Sequence, residues 1–156
     1  MLLTPKTENI GSYHAFSREQ WQQFNTAEPM LLSPKELERL SGVNEEVSMQ
    51  EILQVYMPLT CLLQLYIDQA RLLHRQTEEF LQTSMGKVPF VIGIAGSVAS
   101  GKSTTSRILL QLLTEMTSMS VQLVGTDGFL FPNERLERHH LMARKGFPES
   151  YDLAAL

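Results

Sequence analysis

Apolar residues recur at Ile52, Tyr56, Leu59, Leu63, Tyr66, Ala70 and Leu73, three or four places apart. This spacing predicts a long amphipathic helix. Ser48-Met49-Gln50-Glu51 opens it as a capping box, in which the serine hydroxyl takes an orphan amide and the glutamate reaches back. Pro58 should kink or divide the helix near Tyr56, because proline removes a donor and clashes with the preceding turn. The second piece runs to about Thr83, roughly 25 residues or about 37 Å. Its stripe is wide enough to pack on a sheet and leave Leu62 or Leu72 for a partner. Tyr56, Met57, Tyr66 and Phe80 read as packing residues rather than ligand contacts. Two shorter helices precede it. Ser17 caps one through Gln23, with Trp21 and Phe24 on one face, and Glu28-Pro29 ends it. Ser33-Pro34-Lys35-Glu36 starts the other, with Leu37 and Leu40 apolar and Gly42 as its terminator. Residues 1–16 lack periodicity and read as an irregular arm that Tyr13 and Phe16 can anchor.

Past Ser84-Met85-Gly86-Lys87 the pattern changes. Pro89 to Ala95 is a short apolar run, as expected of a buried parallel strand. A helix follows, with Ile108, Leu109, Leu112 and Leu113 apolar. Ser120 to Thr126 alternates and reads as a second strand, so the three segments predict one right-handed βαβ unit. Asn133 can cap a helix to about Ala143, and residues 144–152 are rich in turn formers. The expected organisation is a helical region over 1–88 and an α/β domain with a parallel sheet over 89–156. Two strands cannot make a doubly wound sheet with both faces covered. The chain therefore reads as the first half of such a domain, with further strands and a second acidic residue still to come.

Between the first strand and its helix lies Gly96-Ser97-Val98-Ala99-Ser100-Gly101-Lys102-Ser103. This is the G-x-x-x-x-G-K-S phosphate-binding pattern in the strand–loop–helix context it requires. Gly96 and Gly101 permit backbone angles and approaches that a Cβ would block. Successive amides of Ser97, Val98, Ala99 and Ser100 can then point at a β-phosphate, reinforced by the positive end of the helix. Lys102 is suited to bridging β- and γ-phosphate oxygens, and Ser103 offers a hydroxyl to Mg²⁺. Thr104 adds a hydroxyl one place on, outside the pattern, where packing or capping is the plainer role. Arg107 lies one turn further, facing either an anion or solvent.

Asp127 ends the second predicted strand. Ligands of open α/β sheets bind beyond the carboxyl ends of strands. A carboxylate there can orient or take the proton of an attacking hydroxyl, or hold a magnesium water. Asp127-Gly128 is equally a common turn pair. Arg135, Arg138, His139, His140, Arg144 and Lys145 form a basic cluster, either a solvated face or an anion attractor. Adjacent histidines do not have helical metal-ligand spacing.

Composition narrows the partners. The formal charge is −4 with 13 basic and 17 acidic residues, which argues against nucleic acid. The single cysteine, Cys61, sits in an apolar helical run and reads as a buried hydrophobe. The N-terminus has no signal-like apolar core, and the run Met57–Ile67 is too short to span a bilayer. A cytoplasmic protein without membrane partners is expected.

The stretches Ile94–Arg107, Thr126-Asp-Gly-Phe-Leu130 and Lys145-Gly-Phe-Pro-Glu-Ser-Tyr-Asp152 together resemble bacterial type I pantothenate kinase. Leu40–Glu46 and Tyr56-Met-Pro-Leu59 are similar to that family as well. The phosphate loop alone is widely shared, whereas the other two blocks are more specific. The resemblance implies a P-loop kinase fold and ATP-dependent phosphorylation of pantothenate in a homodimer. It implies Asp127 as catalytic base with Lys102, and Asn44 against the adenine. It also implies Lys102 and Arg107 at positions where coenzyme A competes with ATP. Uridine-kinase-like or phosphoribulokinase-like enzymes share the architecture. A non-catalytic nucleotide-binding module is the alternative of a different class.

Overall fold

Serines start three helical segments, each by bonding the amide three residues ahead. The computed structural model describes residues 8–10, 13–27, 33, 35–36, 40 and 47–156. Ser17 caps helix α1 (Arg18–Gln22) in a complete capping box with Gln20. The Ser33 amide and hydroxyl both donate to Glu36, whose amide returns to Ser33 Oγ at 3.4 Å. Ser48 accepts from Glu51 N at 3.1 Å and opens α2 (Met49–Glu51). Leu37, Gly42 and Asn44 lie outside the described residues.

The arm expected to be irregular contains two short strands, β1 (Glu8–Ile10) and β2 (Tyr13–Ala15). They pair antiparallel with Ile10 opposite Tyr13. Three residues a side carry too little alternation to be seen as a pattern.

Pro58 does divide the long helix. A π turn, Ile52–Tyr56, follows α2, and α3 (Met57–Leu81) then begins with proline in its first turn. At the junction Met57 N–H reaches back to Ile52 O, the i→i−5 bond of the wider turn. Helix α3 ends on Gln82 in the left-handed conformation. Helix α4 (Lys102–Met116) follows the phosphate loop.

Helices α3 and α4 share two apolar clusters. Leu40, Val47, Ile52, Met57, Ile108 and Leu112 form one, and Ile67, Leu109 and Leu113 the other. Burying each large aliphatic side chain is worth about 1.5–3 kcal/mol. The helical region and the loop helix thus share one core, and the chain falls into two compact units, 1–121 and 122–156. The compositional change at 88 marks a change of chemistry within a shared core. Cys61 is buried as a free thiol, 3.7 Å from Asn25 Oδ1.

The segments read as strands, 89–95 and 120–126, form no ladder with each other. Residues 120–125 carry no regular structure, and Thr126–Phe129 is a 3-10 turn. A central parallel strand needs hydrogen-bonding neighbours along its edges to be defined as one. Ile92 and Val121 nevertheless pack on the same Ile67–Leu109–Leu113 cluster.

The second unit covers 122–156. Helix α5 runs only from Asn133 to Arg138, shorter than the expected end near Ala143. Pro132 holds the cap position, and Asn133 Oδ1 instead accepts from Lys145 Nζ at 3.0 Å. His140 at φ 56° ends the helical path, and Met142–Arg144 forms a separate 3-10 turn. No helix among the described residues is long and apolar enough to cross a membrane.

Candidate functional site

The loop 96–101 leaves the apolar segment and ends as the N-terminus of α4. Gly101 caps that helix with φ 78° and ψ 14°, a region open to glycine at no steric cost. A Cβ on Gly96 would stand 2.5 Å from Ser100 Oγ, so the loop closes tightly on itself there. Ala99 also takes a positive φ, 58°, which strains an alanine by about 1 kcal/mol. Val98 stands at the tip, 95% exposed. Thr105 N bonds to Gly101 O at 2.9 Å and closes the first turn of α4.

Lys102 folds over the loop. Its Nζ donates to Gly96 O at 3.0 Å and to Ser97 O. The ammonium is thereby held against the loop's own carbonyls. Ser103 is exposed in the first helical turn. Arg107 Nε donates to Ser103 O at 3.2 Å, which keeps its guanidinium one turn from the loop. Thr104 is buried in the same turn.

Beside the loop lies a cavity of about 470 Å³ lined by Val47, Glu51, Tyr56, Ala99, Ser100, Gly101, Thr104 and Thr105. The Tyr56 and Thr105 hydroxyl oxygens are 3.4 Å apart. Glu51, Tyr56 and Thr105 were not legible as site residues. The available signal was Pro58, which forces a wide turn just where Tyr56 sits.

Asp127 belongs to the second unit, on the exposed 3-10 turn. Leu130 N bonds to Asp127 O at 3.3 Å. The following residues are laced to the Gly146–Asp152 stretch. Leu130 and Tyr151 form an antiparallel bridge, Phe131 N donates to Ser150 O at 2.9 Å, and Asp152 N donates to Phe129 O at 2.8 Å. Ser150 is fully buried; its hydroxyl donates to Phe147 O at 2.7 Å and accepts from Gly146 N at 2.9 Å.

Three of the six basic-cluster residues have internal partners. Arg135 stacks over Phe131 with its guanidinium carbon 3.6 Å from the ring centroid. Arg144 stacks over Phe147 and pairs with Glu149 at 2.6 Å, and Lys145 holds Asn133. The Glu149 carboxyl is lowered from its ordinary 4.5, first by its own backbone amide and then by Arg144. The structure thus brings residues 96–105 and 107 together, describes Asp127 in its own unit, and leaves Asn44 outside the described residues.

No protein-family model matches the chain. Individual proteins do. A pantothenate kinase of Brevibacillus brevis is 52% identical over 142 residues, 90% of this chain and 44% of that protein. Its relatives are pantothenate kinases. One from Agrobacterium fabrum is 46% identical over 97% of the chain, and one from Coxiella burnetii 45% over 100%. The chain spans about half the length of the pantothenate kinases it matches, between 44% and 49% of each of these three.

Proposed function

We propose that the chain is the N-terminal, nucleotide-binding part of a type I pantothenate kinase. The complete enzyme transfers the γ-phosphate of ATP to the pantothenate hydroxyl, giving 4'-phosphopantothenate, in the first step of coenzyme A biosynthesis. One observation carries this reading: a phosphate-loop sequence folded with Gly101 left-handed and Lys102 curled over the turn, in a chain whose relatives are pantothenate kinases. The fold of this reading is a P-loop kinase sheet. Its support is that Ile92 and Val121, from the two candidate strands, rest on one helical layer.

The roles follow from chemistry. The amides of 97–101 and the N-terminus of α4 hold phosphate oxygens. Lys102 stabilises charge moving between the β- and γ-phosphates. Asp127 accepts the proton of the attacking hydroxyl. Ser103, exposed at the helix start, fits the single protein hydroxyl that Mg²⁺ takes beside phosphate oxygens. The metal supplies charge neutralisation of the phosphates. In this reading Arg107, one turn away, meets the phosphates of coenzyme A when it competes with ATP; its support is the bond that holds Arg107 Nε to Ser103 O. The enzyme is cytoplasmic and homodimeric in this reading. Support for the dimer is a 4-3-4-3-4 row on α3, namely Leu62, Tyr66, Gln69, Leu73, Gln76 and Phe80, in which every large apolar member is exposed.

The test is a substrate panel on the full-length protein with labelled ATP. Pantothenate should be phosphorylated in preference to uridine and ribulose 5-phosphate. Preference for either of the others would reject the assignment.

A further inference from the structure

Trp21 is the only tryptophan, and it lies 34 residues before its hydrogen-bond partner. Its indole N–H donates to Val55 O at 3.0 Å inside the π turn. The next carbonyl, of Tyr56, accepts from the buried Thr60 Oγ1 at 2.8 Å. Two successive carbonyls of this turn thus hold side-chain donors. A π turn is uncommon and persists where its surroundings fix it. Pro58 blocks the tighter alternative, since its ring would meet the Gln54 carbonyl of an α-helical register. Trp21 secures the turn from the side. Phe16 and Phe24 in turn hold the indole, with ring centroids 5.9 Å from it.

What the turn presents is Tyr56. Its hydroxyl lies 3.4 Å from Thr105 Oγ1, and the Thr105 amide is bonded to Gly101 O. Tyr56 also forms a wall of the cavity that Ala99, Ser100 and Thr104 line from the loop side. A continuous path therefore runs from the indole through the Val55 carbonyl and Tyr56 to the residue that closes the first turn of α4, next to the loop. We propose that Trp21 is a positioning residue for the phosphate loop, acting through Val55 and Tyr56 on Thr105. The proposal rests on the reading of that loop as a nucleotide site.

The experiment measures MgADP affinity by calorimetry on the full chain, with Trp21→Phe, Tyr56→Phe and the double variant. Phenylalanine keeps an aromatic ring at each position; it removes the hydroxyl at 56, and the indole donor with part of the ring area at 21. Each single variant should weaken MgADP by about threefold to tenfold, the size of one net hydrogen bond. The double variant should weaken it no further than the weaker single, because both cut one path. In the parent chain, saturating MgADP should shift the Trp21 emission, and Tyr56→Phe should diminish that shift. A merely structural Trp21 would lower the melting temperature and leave affinity and emission response alone, which would overturn the proposal. Additive losses in the double variant would overturn it as well. A parent chain that binds no MgADP would overturn both the loop reading and the proposal. Normal parent binding with unaltered variants would overturn the proposal only.

Discussion

The Asp152 amide donates to the Phe129 carbonyl, and this bond ties the stretch after Asp127 to the Gly146–Asp152 stretch. Ser150 supports the tie from within, between Gly146 N and Phe147 O. Ser150→Ala removes the buried hydroxyl that bonds Gly146 N and Phe147 O. The second unit should lose about 0.5–1.5 kcal/mol in denaturant titration, the net worth of a hydrogen bond. Turnover of the complete enzyme should fall as the Asp127 turn loosens.

Under the proposed function, Asp127→Asn removes the base and keeps the shape. In the complete enzyme kcat should fall by about 10²- to 10⁴-fold with ATP binding retained. Steady-state kinetics beside calorimetric ATP binding would show it. Unchanged kcat would favour a non-catalytic module. A protein made of residues 1–156 alone should bind nucleotide and show no phosphate transfer in a labelled-ATP assay.

The two loop glycines should differ under substitution by alanine. At Gly96 the new Cβ meets only the Ser100 hydroxyl closely, which can rotate away. At Gly101 the positive φ itself is the obstacle, at about 1–2 kcal/mol. Gly101→Ala should therefore lower the thermal midpoint more than Gly96→Ala, as read by calorimetric scanning.

Helix α3 carries Leu73 and Phe80 exposed in the same row, Phe80 at 85%. If that row seats a second copy, Leu73→Glu with Phe80→Glu should convert a dimer to a monomer in light scattering. MgADP affinity should persist, because neither side chain lines the loop cavity. A dimer that survives both charges would move the interface elsewhere.

The Glu149 carboxyl is depressed in the folded chain by its backbone amide and Arg144. The folded state therefore binds this proton less readily than the unfolded one. The contribution is present above the ordinary value of 4.5 and is lost as pH falls through the lower folded value. A side-chain NMR titration should show the Glu149 midpoint below 4.5, and Arg144→Ala should raise it.

Local chemistry was legible and distant chemistry was not. Ser17, Ser33 and Ser48 bond three residues away, so their caps can be read from four letters. Pro58 announced its break for the same reason. Asn133 misled because its carbonyl oxygen is taken by Lys145, 12 residues on. The Trp21–Val55 bond, and the shared core of α3 with α4, depend on how segments meet in space. The two apolar runs at 89–95 and 120–126 carried strand composition, but a ladder requires a neighbouring strand in register. Of the candidate site, the G-x-x-x-x-G-K-S pattern was readable because it is one short motif. The cavity wall of Glu51, Tyr56 and Thr105 was not, since it comes from three elements, the last far from the other two in sequence.

Under the proposed function, Lys102 would meet an arriving phosphate with its ammonium already bonded to the carbonyls of Gly96 and Ser97. Capture of the anion is therefore an exchange of partners. The lysine must release its own loop before it can bridge the ligand, and what it adds to affinity is the difference between two sets of bonds. The same exchange leaves two carbonyls seeking donors, so the loop that has closed on a phosphate must find new partners for its own backbone. Lys102→Met would cut the attraction and also remove that internal clasp, so its affinity loss would report both at once.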